Sequence, residues 1–182
     1  MTPKLPSVRA TRGMVRPANG GDVAAMLDIY RPFVAESAVT FETIVPTETE
    51  FLARVQAAER THAWLVWDED GIQGYAYGTT HRERAAYRWC TEVSVYVAAP
   101  ARGRGIGRGL YRELLPRLAA RGYVNAYAGI ALPNPASVAL HEALGFTPIG
   151  VYPRIGWKRG AWHDVGWWYL RLANPQGEPR LS

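Results

Sequence analysis

The sequence predicts a single-domain α/β (α+β) fold in which a mixed, mostly antiparallel central sheet is flanked by helices. The first observation is size and polarity: 182 residues, 48% hydrophobic and 20% charged, suffice for one full core and exclude wholesale disorder. The second is periodicity. Helical spacings and short apolar runs follow one another in the order β-α-α-β-β-β-α-β-α-β-β. The third is connectivity, since the three strands immediately ahead of the long helix succeed each other without helical crossovers, which makes the front half antiparallel.

Residues 1–12 and 173–182 are polar and proline-bearing and read as flexible tails around a domain at 13–172. Met14, Val15 and Arg16 form a short first strand, after which Val23, Met26, Leu27, Tyr30 and Val34 recur at helical spacing. Thr47-Glu48-Thr49-Glu50 is a capping box that opens a second helix to about residue 60. Residues 63–67 and 72–80 are strands joined by the hairpin turn Asp68-Glu69-Asp70-Gly71, and 87–97 is a third strand. A long helix at 106–121 buries Leu110, Leu114, Leu115 and Leu118, with Gly122 placed to end it. Pro116 lies within that helix and predicts a kink. A strand at 124–130, a short helix at 135–144 and two strands at 149–154 and 163–172 complete the chain.

The single cysteine, Cys90, excludes an internal disulfide framework and a zinc site on paired thiolates, and His62, His81, His141 and His163 have no metal-ligand spacing. No metal is expected. The first 14 residues lack the apolar core of a secretory signal, and the longest charge-free stretch, 122–141, is broken by prolines and asparagines. The expectation is a soluble cytoplasmic protein that does not enter membranes. The net charge of +5 is carried almost wholly by arginine, yet the chain lacks the broad patch with interleaved aromatics that nucleic acid needs, so no nucleic-acid partner is expected.

Three segments carry chemistry. Ala99-Pro100-Ala101-Arg102-Gly103-Arg104-Gly105-Ile106-Gly107-Arg108 lies between a strand and the long helix. Its alternating glycines let the backbone turn tightly, the helix contributes its positive end and the arginines add charge, which together suit a pyrophosphate. It lacks the third glycine of a dinucleotide fingerprint and the Gly-Lys-Ser/Thr of a P-loop. In Trp89-Cys90-Thr91-Glu92-Val93-Ser94-Val95-Tyr96-Val97, Glu92 is the one charge of a central strand. Burying a carboxylate is costly unless it is paired or lines a cavity, and a carboxylate tuned upward suits general-base work. A structural ion pair with an arginine fits that strand equally well. Asn134 precedes the helix that holds His141; the two either cap and decorate that helix or share a cleft with Glu92.

In this order the segments resemble those of GNAT-family acetyltransferases, whose acetyl-CoA loop Arg-x-x-Gly-x-Gly is matched by Arg102, Gly105 and Gly107. More narrowly they resemble the phosphinothricin (methionine sulfoximine) N-acetyltransferases, through 37–42, 84–87, 92–97, 132–134, 141–146 and 158–167, so that the resemblance spans about 14–172. Val93 and Pro116 depart mildly from that pattern.

The resemblance implies an acetyl-CoA-dependent N-acetyltransferase acting directly on the amino group of a small amino acid analogue. The backbone of Val95, Tyr96 and Val97 would pair with the pantetheine arm, the amides of Gly103, Arg104, Gly105, Ile106, Gly107 and Arg108 would hold the pyrophosphate, and Asn134 would contact the thiol end. Glu92 would take the proton from the amine and His141 would assist or protonate the leaving thiolate. Phe41, Arg82, Arg84 and Tyr87 would form the amino acid side of the cleft, Arg82 and Arg84 reading an anion from one face of an extended segment. A homodimer is implied, with Trp157, Trp162, Trp167 and Trp168 as candidates for the interface. The alternatives are an acetyltransferase for protein N-termini or another amine, and a non-catalytic acyl-CoA sensor that would not need Glu92.

Overall fold

The computed structural model describes residues 13–181. Within them the strands are β1 (Met14–Pro17), β2 (Trp64–Asp68), β3 (Ile72–Thr80), β4 (Cys90–Val97), β5 (Asn125–Leu132), β6 (Thr147–Lys158) and β7 (Ala161–Arg171). The helices are α1 (Val23–Glu36), α2 (Glu48–Thr61), α3 (Ile106–Ala120) and α4 (Pro135–Glu142). One sheet runs β1-β2-β3-β4-β5-β7-β6, parallel only between β4 and β5. The fold class and element order match the sequence expectation.

Alternation along the strands sorts the core onto two faces. Leu65, Ala76 and Val93 meet Leu110, Leu114 and Leu118 of α3 on one face. Trp64, Val66 and Tyr75 meet Met26, Tyr30, Phe51 and Val55 of α1 and α2 on the other. Thr47 caps α2 as its capping box predicts, its hydroxyl accepting from the Glu50 amide at 3.2 Å while Glu50 returns a bond to the Thr47 amide at 2.8 Å. Gly122 follows α3 at φ +94°, a left-handed conformation that ends the helix with the Tyr123 amide on the Leu118 carbonyl. Leu115 is half-buried rather than core, and α3 continues through Pro116 with that ring on its exposed side.

Three boundaries differ from expectation. Residues 85–87 form a 3-10 turn, so β4 starts at Cys90 and Tyr87 is not in a strand. The last hairpin is longer than its apolar runs suggested, because bulges between Pro148 and Gly150 and between Tyr152 and Gly156 let β6 continue past Arg154. The helix at α4 stops at Glu142, where Phe146 turns back to bond the His141 carbonyl. Residues 173–181 carry no helix or strand and lie against the start of β4, with the Trp89 indole N–H on the Pro179 carbonyl at 2.9 Å. The tail expected at 1–12 lies outside the described residues. Among the described residues no helix is long and apolar enough to cross a membrane.

Candidate active site

β4 and β5 pair only at Cys90–Asn125, Thr91–Ala126 and Glu92–Tyr127. Beyond that point β4 keeps β3 as partner to Val97 and β5 keeps β7 to Leu132, so their facing edges part and a cleft opens between them. Ser94, Val95 and Tyr96 line one side, Ala128 and Gly129 the other, and Asn134 and His141 the end nearest α4. Val97 continues the β4 edge. A free strand edge offers backbone donors and acceptors to an extended chain. The Tyr96 side chain points to the opposite face, its ring edge-on to Tyr30 at 5.0 Å and Phe33 at 5.1 Å, so only its backbone meets the cleft.

The glycine-rich loop leads from the mouth of this cleft into α3. Gly103 and Gly105 adopt φ of +75° and +82°, conformations that L side chains rarely take. The turn leaves the N-terminus of α3 without a side-chain cap, and its first helical bond runs from Gly109 to Gly105. The amides of Ile106, Gly107 and Arg108 are therefore open to an anion at the positive end of the helix. The arginines contribute unequally. Arg104 pairs with Glu69 at 2.7 Å and Arg102 lies over the Phe33 ring at 5.0 Å, whereas Arg108 is exposed on the first turn.

Asn134 caps α4, its side-chain oxygen accepting from the Ser137 amide at 3.2 Å, and it lines the cleft as well. His141, one turn further on, is buried. Its Nδ1 lies 2.7 Å from the Ser137 carbonyl, which can only accept, so the proton is on Nδ1. Its Nε2 then accepts from the Tyr111 hydroxyl at 3.1 Å. Burial lowers the His141 pKa, against the opposing pull of the Ser137 carbonyl, and keeps the ring neutral. In this state the Nδ1–H of His141 is committed to the Ser137 carbonyl and its Nε2 lone pair to the Tyr111 O–H.

Glu92 faces the α1/α2 side of the sheet. It lines a cavity of about 260 Å³ together with Tyr30, Phe51, Arg54, Tyr77 and Ser94. Its expected burial is partial, the side chain keeping 32% of its exposure, and its partner is a histidine rather than an arginine: His81 Nδ1 lies 3.2 Å from Oε2. Ser94 lines both this cavity and the β4/β5 cleft. Glu92 and His141 thus occupy adjoining spaces on either side of β4.

The substrate-side residues are dispersed. Arg82, Arg84 and Tyr87 are exposed on the loop between β3 and β4, with Arg84 in extended backbone immediately before the 3-10 turn at 85–87. Arg82 donates to the His81 carbonyl at 2.9 Å and stands 5.8 Å from the Trp167 ring. Phe41 packs on Gly156 of β6 so closely that no Cβ would fit there. His81 and Tyr111 were not singled out in the sequence. The register holds the signal for His81: Thr79 lies opposite Glu92, so two residues further His81 returns to the same face.

Residues 24–146 match the model of the acetyltransferase (GNAT) family. The chain is 39% identical over 155 residues to a phosphinothricin N-acetyltransferase of Streptomyces viridochromogenes, covering 85% of each protein. It is 33% identical over 160 residues to an L-methionine sulfoximine/L-methionine sulfone acetyltransferase of Salmonella typhimurium, covering 87% of this chain and 94% of that protein. A phosphinothricin acetyltransferase of Sinorhizobium meliloti, solved in complex with AcCoA, superposes with a TM-score of 0.85 at 35% identity, covering 91% of this chain and 94% of the other.

Proposed function

Because this chain belongs to the GNAT acetyltransferase family and is an N-acetyltransferase, we propose that it transfers acetyl from acetyl-CoA to the amino group of a small amino acid analogue of the phosphinothricin or methionine sulfoximine kind, with Glu92 as general base. The observation that carries this reading is the parting of β4 from β5 above Glu92, in line with an uncapped helix terminus. A pantetheine arm fits the free β4 edge at Val95, Tyr96 and Val97 as an added strand. A pyrophosphate fits the amides of residues 103–108, and Asn134 and His141 stand at the inner end of the cleft. When bound, acetyl-CoA supplies an acetyl group activated as its thioester.

The chain's own residues then handle protons and position. An amino acid presents its amine as an ammonium at neutral pH, and this must lose a proton to become a nucleophile. Glu92, partly exposed, accepts that proton at the edge of the cavity it lines. Formation of the N–C bond and breakage of the C–S bond leave a thiolate, which takes up a proton from solvent, with His141 at the inner end of the cleft to assist. Arg82 and Arg84 meet the carboxylate of the incoming amino acid from their exposed loop, with Phe41 and Tyr87 as apolar flanks. The assembly is a homodimer.

The test is release of free thiol from acetyl-CoA across phosphinothricin, methionine sulfoximine, methionine sulfone, simple amines and peptide N-termini. The expected result is preference for the free amino acid analogues, with Glu92→Gln lowering turnover by roughly 100-fold or more. Acetyl-CoA should still raise the melting temperature of that variant. Near-normal turnover in Glu92→Gln would assign the proton to another group, and preference for peptides would overturn the substrate class.

A further inference from the structure

His81 lies just beyond β3, and its ring is fixed from three directions. Nδ1 is 3.2 Å from Glu92 Oε2. The imidazole stacks on Tyr127 of β5 with centroids 4.6 Å apart at 13°, and meets Trp167 of β7 edge-on at 5.4 Å and 75°. As a diagonal cross-strand neighbour of Glu92 it reaches the carboxylate without distorting the ladder. Only 13% of its side chain is exposed.

We propose that His81 is the positioning residue of Glu92, an inference that rests on Glu92 being the base. An ionised carboxylate has acceptors only, so the contact requires the proton on Nδ1 and leaves a lone pair on Nε2. The Nδ1–H holds Oε2, and Oε1 remains for the substrate amine. The amine's proton moves to Oε1 with no bond of His81 broken. The groups facing His81 are the Glu92 carboxylate from β4, the Tyr127 ring from β5 and the Trp167 indole from β7. Arg82 adjoins it on its own loop, its guanidinium over that same indole.

The experiment compares His81→Phe, His81→Asn, Glu92→Gln and the double variant Glu92→Gln/His81→Phe, with kcat and KM measured for each. His81→Phe should lose roughly tenfold or more in kcat, the effect of one charge-assisted hydrogen bond, with the KM for acetyl-CoA unchanged. His81→Asn keeps an N–H donor, so it should recover most of that loss. The double variant should be no slower than Glu92→Gln. Normal kcat in His81→Phe alongside a collapsed Glu92→Gln overturns this inference and leaves Glu92 as base. Near-normal Glu92→Gln overturns both. A further loss in the double variant places the action of His81 elsewhere and overturns the inference. Should His81→Phe fail to show a melting shift with acetyl-CoA, His81→Asn decides alone, and a raised KM for acetyl-CoA with unchanged kcat there overturns it.

Discussion

His62 shows how one buried ring contributes to the acid response of the protein. It is 3% exposed, stacks on Tyr123 with centroids 4.5 Å apart, and has Nδ1 2.8 Å from the Thr61 hydroxyl. Burial, with a smaller contribution from the Arg121 guanidinium, pushes its pKa from 6.5 down to about 4. The unfolded chain takes up a proton below its ordinary histidine pKa that the folded chain refuses, so stability declines as pH falls from 6.5 toward 4. His141, lowered by its own burial, acts with the same sign. The His62 contribution is at most about 3 kcal/mol across the window. Urea unfolding at pH 7 and pH 5 should show a shallower loss of midpoint for His62→Gln than for the native chain; parallel losses would remove His62 from the account. Glu92 stood out in the sequence because a lone charge in an apolar run is a local signal. Its partner His81 did not, because that contact depends on the register of β3 against β4, which composition does not carry.

At the scale of elements, the loop before α3 is the part whose purpose is most local. Gly103 and Gly105 have nothing within 4 Å of an added Cβ, so backbone conformation rather than space demands glycine. Forcing a β-branched residue into that region costs on the order of 1–3 kcal/mol or reorients the amides. Gly105→Val should therefore fold with a lower melting temperature and lose the stabilisation by acetyl-CoA, which is roughly 2.7 kcal/mol at 100 times Kd. Persistence of that shift would exclude the loop as the pyrophosphate seat. This element was legible because its requirements lie within ten consecutive residues. The connection from β3 to β4 was not. Tyr87 extends an apolar run and reads as strand, yet Ala85–Tyr87 winds into a 3-10 turn. Next to that turn, Arg88 pairs with Glu178 at 2.6 Å and Trp89 bonds Pro179. Contacts 90 residues away leave no trace in a local pattern.

For the whole molecule, the sequence order implied the antiparallel front half, but the insertion of β7 between β5 and β6 follows from pairing across the sheet. That insertion places β6 at the edge, joined to β7 alone, with Ile149, Val151, Ile155 and Trp157 all more than half exposed. Trp162 of β7 stands 49% exposed and edge-on to Trp157 at 5.4 Å, so the apolar surface is continuous across the hairpin. An edge of this kind is an association site unless something blunts it. Pro148, Pro153 and the two bulges interrupt the free ladder of β6, which works against a sheet continued from copy to copy. The side chains are left as the means of contact, and in the homodimer proposed above a second copy of the chain would cover them face to face. Light scattering should then give the native protein twice the 20.2 kDa of one chain, and Trp157→Glu combined with Ile155→Glu should return it to one. Both residues point away from the core, so the double variant should keep its helical and strand signal in circular dichroism. A native protein that scatters as a single chain at micromolar concentration would overturn the dimer. A native dimer unmoved by the two charges would shift its interface to another face.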